Sequence, residues 1–205
     1  PGLIVENLEK VVANEPDDFE SWFKLIDAYT SNGRIDDAIR RLVDLIAKSN
    51  GKKGFDAARA NMALAECYMK SNRLDDAFKT YAIVHRHDPD DPMPFAQMGR
   101  IERERGNADK AIQYLSKARS LAPGDADILK DLAVLTHDRL GGPEAHELFK
   151  SVLAARPDDE ESHFRIGQIE MQLRNFKAAY PHFLKSKNSK QFAVASLVNI
   201  GVILN

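Results

Sequence analysis

The chain has 205 residues, 43% of them hydrophobic and 29% charged, with 29 Lys and Arg against 31 Asp and Glu and a net charge of −2. That is an ordinary soluble composition for one large domain or a small array, and it lacks the basic excess of a general nucleic-acid or membrane-surface binder. A lone cysteine, Cys67, excludes an internal disulfide and fits a reducing compartment such as the cytoplasm, and no basic-then-apolar leader opens the sequence.

Ile4, Leu8 and Val11, followed by Pro16, predict a helix over 3–15 that the proline stops. Trp22, Leu25, Ile26 and Tyr29 form a second apolar stripe at helical spacing, and Ala38, Leu42 and Leu45 form a third. Between the last two lies "SNGRIDDA" (31–38), and "SNRLDDA" (71–77) spells nearly the same turn again. Gly33 and Asn72 hold the place where a left-handed backbone ends a helix. Asp36 and Asp75 follow, where a carboxylate would cap the next one.

The repetition runs along the whole chain. Ala38, Ala77, Ala111, Ala145 and Ala179 are separated by 39, 34, 34 and 34 residues. Four residues after each alanine stands Leu42, Tyr81, Leu115, Phe149 or Phe183, and thirteen before it Leu25, Leu64, Met98, Leu132 or Ile166. The next residue is small in four of five cases (Ala65, Gly99, Ala133 and Gly167, against Ile26). Pro89, Pro123 and Pro157 close three of the periods, and Asn50 and Gln191 the others. A fixed period of helix, tight turn, helix and breaker marks a repeat architecture. The alanines belong where two helices cross closely. "KGFDA" (53–57) reads as an insertion, and "LGG" (140–142) as a looser fourth turn.

Trp22, Leu25, Tyr29 and Ala38, and again Phe95, Met98-Gly99, Ala111 and Pro123, give the chain a pattern that resembles the tetratricopeptide repeat. The resemblance implies an all-α, right-handed solenoid of helix-turn-helix units at 19–52, 58–91, 92–125, 126–159 and 160–193. A half repeat would precede them at 3–15, and a further repeat or capping helix would start at 194–205. His163 takes the tryptophan place as a core-edge residue. "FAVASLVNIGVIL" (192–204), with Leu197, Ile200 and Gly201 in the first-helix pattern, is almost wholly apolar yet too short to span a bilayer. The expectation is that the native chain continues there, or that this edge meets a partner or a second copy.

No phosphate-binding glycine motif and no nucleophile-elbow motif is present, and no cofactor or metal site is read. His85 and His87 lie two apart, off a common helix face. Cys67 sits among apolar residues as a small core side chain. The reading is therefore non-catalytic. In the family the first helix of each unit lines a concave groove. By that resemblance Phe23, Met62, Met69 and Met93 would supply adaptable apolar anchors, Arg100, Arg103, Lys130 and Arg165 cations, and Phe164 and Met171 further lining. The same helices place Glu20, Asp27, Arg59 and Glu66 in the groove. The lysine-asparagine-arginine clamp for chaperone tails is absent, with Phe23, Asp27, Met62 and Glu66 in its places. An asparagine ladder is absent too, since Lys24, Ala63, Gln97, Asp131 and Arg165 precede Asn199.

The leading functional reading is a protein-interaction scaffold holding a partner segment, acidic with apolar anchors, in this groove. The alternatives are the regulatory or targeting part of a larger enzyme, and a self-assembling structural protein joined through 192–204. No nucleic-acid partner and no membrane insertion is expected.

Overall fold

The computed structural model of the protein describes residues 2–205, and among them every regular element is an α-helix. The twelve helices are α1 (Gly2–Asn14), α2 (Phe19–Ser31), α3 (Ile35–Ser49), α4 (Ala57–Lys70), α5 (Leu74–His87), α6 (Pro92–Glu104), α7 (Ala108–Leu121), α8 (Ala126–Leu140), α9 (Gly142–Ala155), α10 (Glu160–Gln172), α11 (Phe176–Ser186) and α12 (Ala193–Leu204). They form two compact units, one ending at Ile101 and the other running from Glu102 to Asn205. In both, helices consecutive in sequence pack on one another, as in an array of helical repeats.

The helix starts follow a rule. Asp18, Asp56, Asp125 and Asp159 cap α2, α4, α8 and α10, each carboxylate accepting a first-turn backbone N–H, at 2.8 Å for Arg59 and Ser162. These caps satisfy donors that the first turn leaves unpaired. The second helices of the pairs use no side-chain cap. Asp36 and Asp75 therefore stand inside the first turn of α3 and α5, where they favour the positive end of the helix dipole without capping it.

The turns carry a clasp. In the first unit Arg34 folds back over the Tyr29 ring at 4.7 Å, and Arg73 over Tyr68 at 4.5 Å. Asp37 and Asp76 grip the two guanidiniums at 2.6 and 2.9 Å. In the second unit the same two positions are Glu102 with Asn107 and Glu170 with Asn175, joined side chain to side chain at 2.7 and 2.9 Å. Gly33, Asn72, Gly106 and Arg174 supply the left-handed backbone between them. The fourth turn is tighter than its sequence suggested, because Gly141 alone separates α8 from α9 at φ 97°. Only glycine adopts that backbone without strain. The insertion is tied down too: Phe55 packs on Phe19 with the rings tilted and their centroids 5.2 Å apart, and just before it Lys52 reaches Asp17 at 2.7 Å.

The core of the first unit gathers Val5, Val12, Leu25, Ile26, Tyr29, Ala38, Leu42 and Cys67, all buried. Trp22 is only half-buried, and its indole N–H donates to the Pro16 carbonyl at 3.0 Å. Burial pushes the Cys67 thiol up, as suits an inert core cysteine. The inward stripe of α1 is Val5, Leu8 and Val12; Ile4 and Val11, expected inward, face solvent because the helix is turned by one residue.

In the second unit Phe149, Ile166 and Ile169 pack about Ala145, and Leu115, Leu132 and Leu135 about Ala111. A third cluster sets Phe164 and Phe183 with Ala179. Here α12 lays Ile200 and Ile203 inward and buries Ser196 against Ser186 at 2.8 Å. Leu197, expected inward, is 56% exposed, beside Val194 at 78% and Val198 at 60%.

At the core edge His163 donates from Nε2 to the Pro157 carbonyl at 2.9 Å, as Trp22 does to Pro16, and its Nδ1 lies 2.9 Å from His182 Nδ1. With both rings neutral, His182 donates that bond and His163 accepts it. Burial, and then the charge of a protonated His163, pushes the His182 pKa down; Glu170 raises it and His146 lowers it further.

Two predictions follow from this packing. A Cβ on Gly167 would stand 2.8 Å from the Phe183 ring. Gly167→Ala should therefore cost about 1–3 kcal/mol, read from the denaturation midpoint. For His182, acidification lets the unfolded chain protonate first. Its stabilising share is complete above the unfolded value of about 6.5 and lost as pH falls below it. His182→Gln should flatten the fall in melting temperature between about pH 7.5 and 5.5.

Candidate binding groove

The first helices of the first unit put one face of each along a shared depression. On α4 the residues Arg59, Met62, Ala63 and Glu66 follow the i, i+3, i+4, i+7 spacing of a single face. On α2, Phe23 and Asp27 lie one turn apart. With Val84 of α5 and Asp88 and Asp91 from the loop that follows, these side chains and Ala58 enclose a cavity of about 420 Å³. Its floor is apolar: Phe23, Met62, Ala63 and Val84. Its rim holds four carboxylates: Asp27, Glu66, Asp88 and Asp91.

Arg59 closes one side. Its guanidinium lies over the Phe23 ring at 3.9 Å and is gripped by both carboxylate oxygens of Glu20. That grip raises the Arg59 pKa above its ordinary value. Asp88 and Asp91 each spend one oxygen on a backbone N–H, of Asp90 at 3.2 Å and Met93 at 2.9 Å. Among the described residues Asp27 and Glu66 form no ion pair.

The expected groove residues are distributed unevenly. Phe23, itself buried, and Met62 line this cavity. Met69, two turns along α4, is half-buried and outside the lining, and Met93 is 38% exposed, also outside it. Arg100 is half-buried on α6. In the second unit the cations hold neighbouring helices together. Arg103 reaches Asp131 at 3.2 Å. Lys130 reaches Asp159 at 2.8 Å and Glu161 at 3.2 Å. Burial presses the Lys130 ammonium down, and these two carboxylates outweigh it. Arg165 reaches Asp138 at 3.1 Å and lies beside His137. Phe164 is a core residue, stacked beneath Phe192 at 4.7 Å, and Met171 packs into the same cluster. A cavity of about 560 Å³ between α7, α8 and α9 holds none of the expected groove residues.

Asp88 and Asp91 of the rim escaped the sequence reading of the groove. Asp91 stands twenty residues before Ala111, as Asp18 does before Ala38, Asp125 before Ala145 and Asp159 before Ala179. That recurrence was a legible signal for a cap, and the same residue serves the cavity. Among the described residues no three His, Cys, Asp or Glu side chains are grouped to hold a metal. No helix is long and apolar enough to cross a membrane.

Comparison with known proteins bears on the family and the fold. Two family models described as tetratricopeptide repeat match residues 3–64 and 141–191, together over half of the chain. Outer envelope protein 61 of Arabidopsis thaliana is 29% identical over 111 residues, which are 50% of this chain and 20% of that protein. Among solved structures, MamA is similar with a TM-score of 0.69 at 17% identity, covering 85% of this chain and 92% of its own. YrrB, described as a TPR protein with an unusual peptide-binding site, aligns with a TM-score of 0.71 at 15% identity over 95% and 97%. PilF of Pseudomonas aeruginosa gives 0.71 at 16% identity over 88% and 80%. Identities this low speak to the fold.

Proposed function

Because the chain belongs to the tetratricopeptide-repeat family, we propose that it is a non-catalytic protein-interaction scaffold holding an extended or helical partner segment in the groove of its first unit. The observation that carries this is the cavity between α2 and α4, with an aromatic and a methionine on its floor and carboxylates on its rim. Methionine adapts to varied anchors, and a concave apolar site with a few polar groups is the usual form of a ligand site. YrrB's description as a peptide-binding protein of the same fold supports the same class of ligand. The later cations belong to this reading in a lesser role. Each of Arg103, Lys130 and Arg165 is engaged by a carboxylate, so an acidic segment would have to displace a neighbour to reach it.

A photo-crosslinking residue at position 62 tests the site, with one at position 43, exposed on α3, as the control. Partner segments should crosslink from position 62 and not from 43. Crosslinks from 43 alone would overturn the groove.

A second reading, self-association through α12, is favoured by one observation. Val194, Leu197, Val198, Val202 and Leu204 are all more than half exposed on that helix. Contiguous exposed apolar surface marks an association site. Light scattering over a concentration series should show mass rising with concentration, and Val198→Glu with Val202→Glu should abolish the rise. A monodisperse monomer at the highest concentration would dismiss this reading.

A further inference from the structure

The groove of the first unit carries four carboxylates and one cation among its lining residues. Its floor is apolar, yet the side chains around the opening are carboxylates, and the cation among its lining residues, Arg59, is already held by Glu20. An acidic segment would enter against Asp27, Glu66, Asp88 and Asp91 with nothing uncommitted to receive it. A neutral apolar segment would bury part of that rim unpaired, which is costly. A segment with a long cationic side chain meets both demands, since its methylene stem lies on apolar surface while its head stays among the carboxylates.

The protein shows this mode on its own wall. Arg59 lays its guanidinium over Phe23 and its charge on Glu20. Asp27 and Glu66 are exposed carboxylates without an ion pair among the described residues, Asp27 acting on Arg59 only by its charge. Asp88 and Asp91 keep one oxygen each, since the other accepts a backbone N–H. The space, about 420 Å³, suits one or two side chains and no folded domain.

We propose that this groove recognises a basic partner segment, a lysine or arginine next to an apolar residue, with the apolar side chain on Phe23 and Met62 and the cation between Asp27 and Glu66. The proposal rests on the groove reading above and adds the chemistry of the partner to it. It replaces the acidic partner expected from the cations of the later repeats, which the structure commits to Asp131, Asp159, Glu161 and Asp138.

The test is selection of a randomised heptapeptide library, displayed on phage, against the full immobilised chain. Binding of the selected peptides is then measured to the parent, to Asp27→Asn with Glu66→Gln, and to Met62→Lys. Circular dichroism melting checks that the variants keep the parent fold, Asp27 and Glu66 being exposed and Met62 half-buried. The expected result is enrichment of lysine or arginine beside an apolar residue, and a loss of roughly tenfold or more in the double variant. For the parent alone, affinity should fall steeply from about 0.05 M to 0.5 M salt, a readout independent of any variant. Peptides that lose binding to Met62→Lys but carry acidic or uncharged residues overturn the basic assignment and leave the groove standing. So do peptides that bind the double variant like the parent, or bind without salt dependence. Peptides indifferent to Met62→Lys, or no enrichment at all, overturn the groove and the proposal together.

Discussion

The close crossing of two helices at an alanine is the constraint on which the rest depends. Ala38, Ala77, Ala111, Ala145 and Ala179 have no accessible surface. A methyl group there lets the helices of a repeat approach until Leu42, Tyr81, Leu115, Phe149 and Phe183, one turn further on, are themselves enclosed. Interiors packed this tightly leave no slack for a larger side chain. The same tolerance governs Gly167, whose missing Cβ is the space the Phe183 ring occupies. Close approach within pairs lets the next pair lie flat against them, and that stacking forms the groove wall from α2 and α4.

Given that crossing, the turn has to reverse the chain within three residues, and the two units solve the problem with different chemistry. Tyrosine, arginine and aspartate close it in the first unit, through a cation over a ring and an ion pair. A glutamate and an asparagine close it in the second, through hydrogen bonds. Glu102 is nearly inaccessible. Burial raises its pKa, and the bonds from Asn107 and Arg105 outweigh that and hold it below the ordinary carboxyl range. Four of the five turns have a left-handed residue at their centre and a side-chain tie across it, with interchangeable residue types; the fourth is made by Gly141, with no such tie among the described residues.

Charge is spent differently in the two units, and this bears on function. In the second, Arg103, Lys130 and Arg165 on the first helices are engaged by carboxylates, and Arg156, at the end of α9, holds Asp127 with two bonds at 2.6 and 2.9 Å. Exposed pairs contribute little stability each, about 0–1 kcal/mol. Their larger effect is to remove the cations from service as ligand groups. In the first unit Glu20 and Arg59 neutralise each other, and Asp27 and Glu66 are left facing the cavity.

The period of the alanines, the helical stripes, the proline breaks and the glycine turns were legible in the sequence, because each is a local rule that every repeat obeys. Cys67 as core and His163 at the core edge were legible for the same reason. The helix caps were equally present, as aspartates twenty residues before the repeat alanine (one more for Asp56), though hidden among many other acidic residues. Groove lining was half legible: the family resemblance named Phe23, Asp27, Arg59, Met62 and Glu66, and these five line the cavity between α2 and α4. The sequence could not show that Phe164 lies under Phe192, that α1 is turned to bury Val5 and Val12, or that Gly141 makes the fourth turn the tightest. Nor could it show which charges meet. Lys130 and Asp159 are 29 residues apart in sequence and 2.8 Å apart in space. A residue's face follows from its neighbours along one helix. Whether that face is covered, and whether its charge is matched, follows from the helix packed against it, and that partner only the tertiary structure supplies.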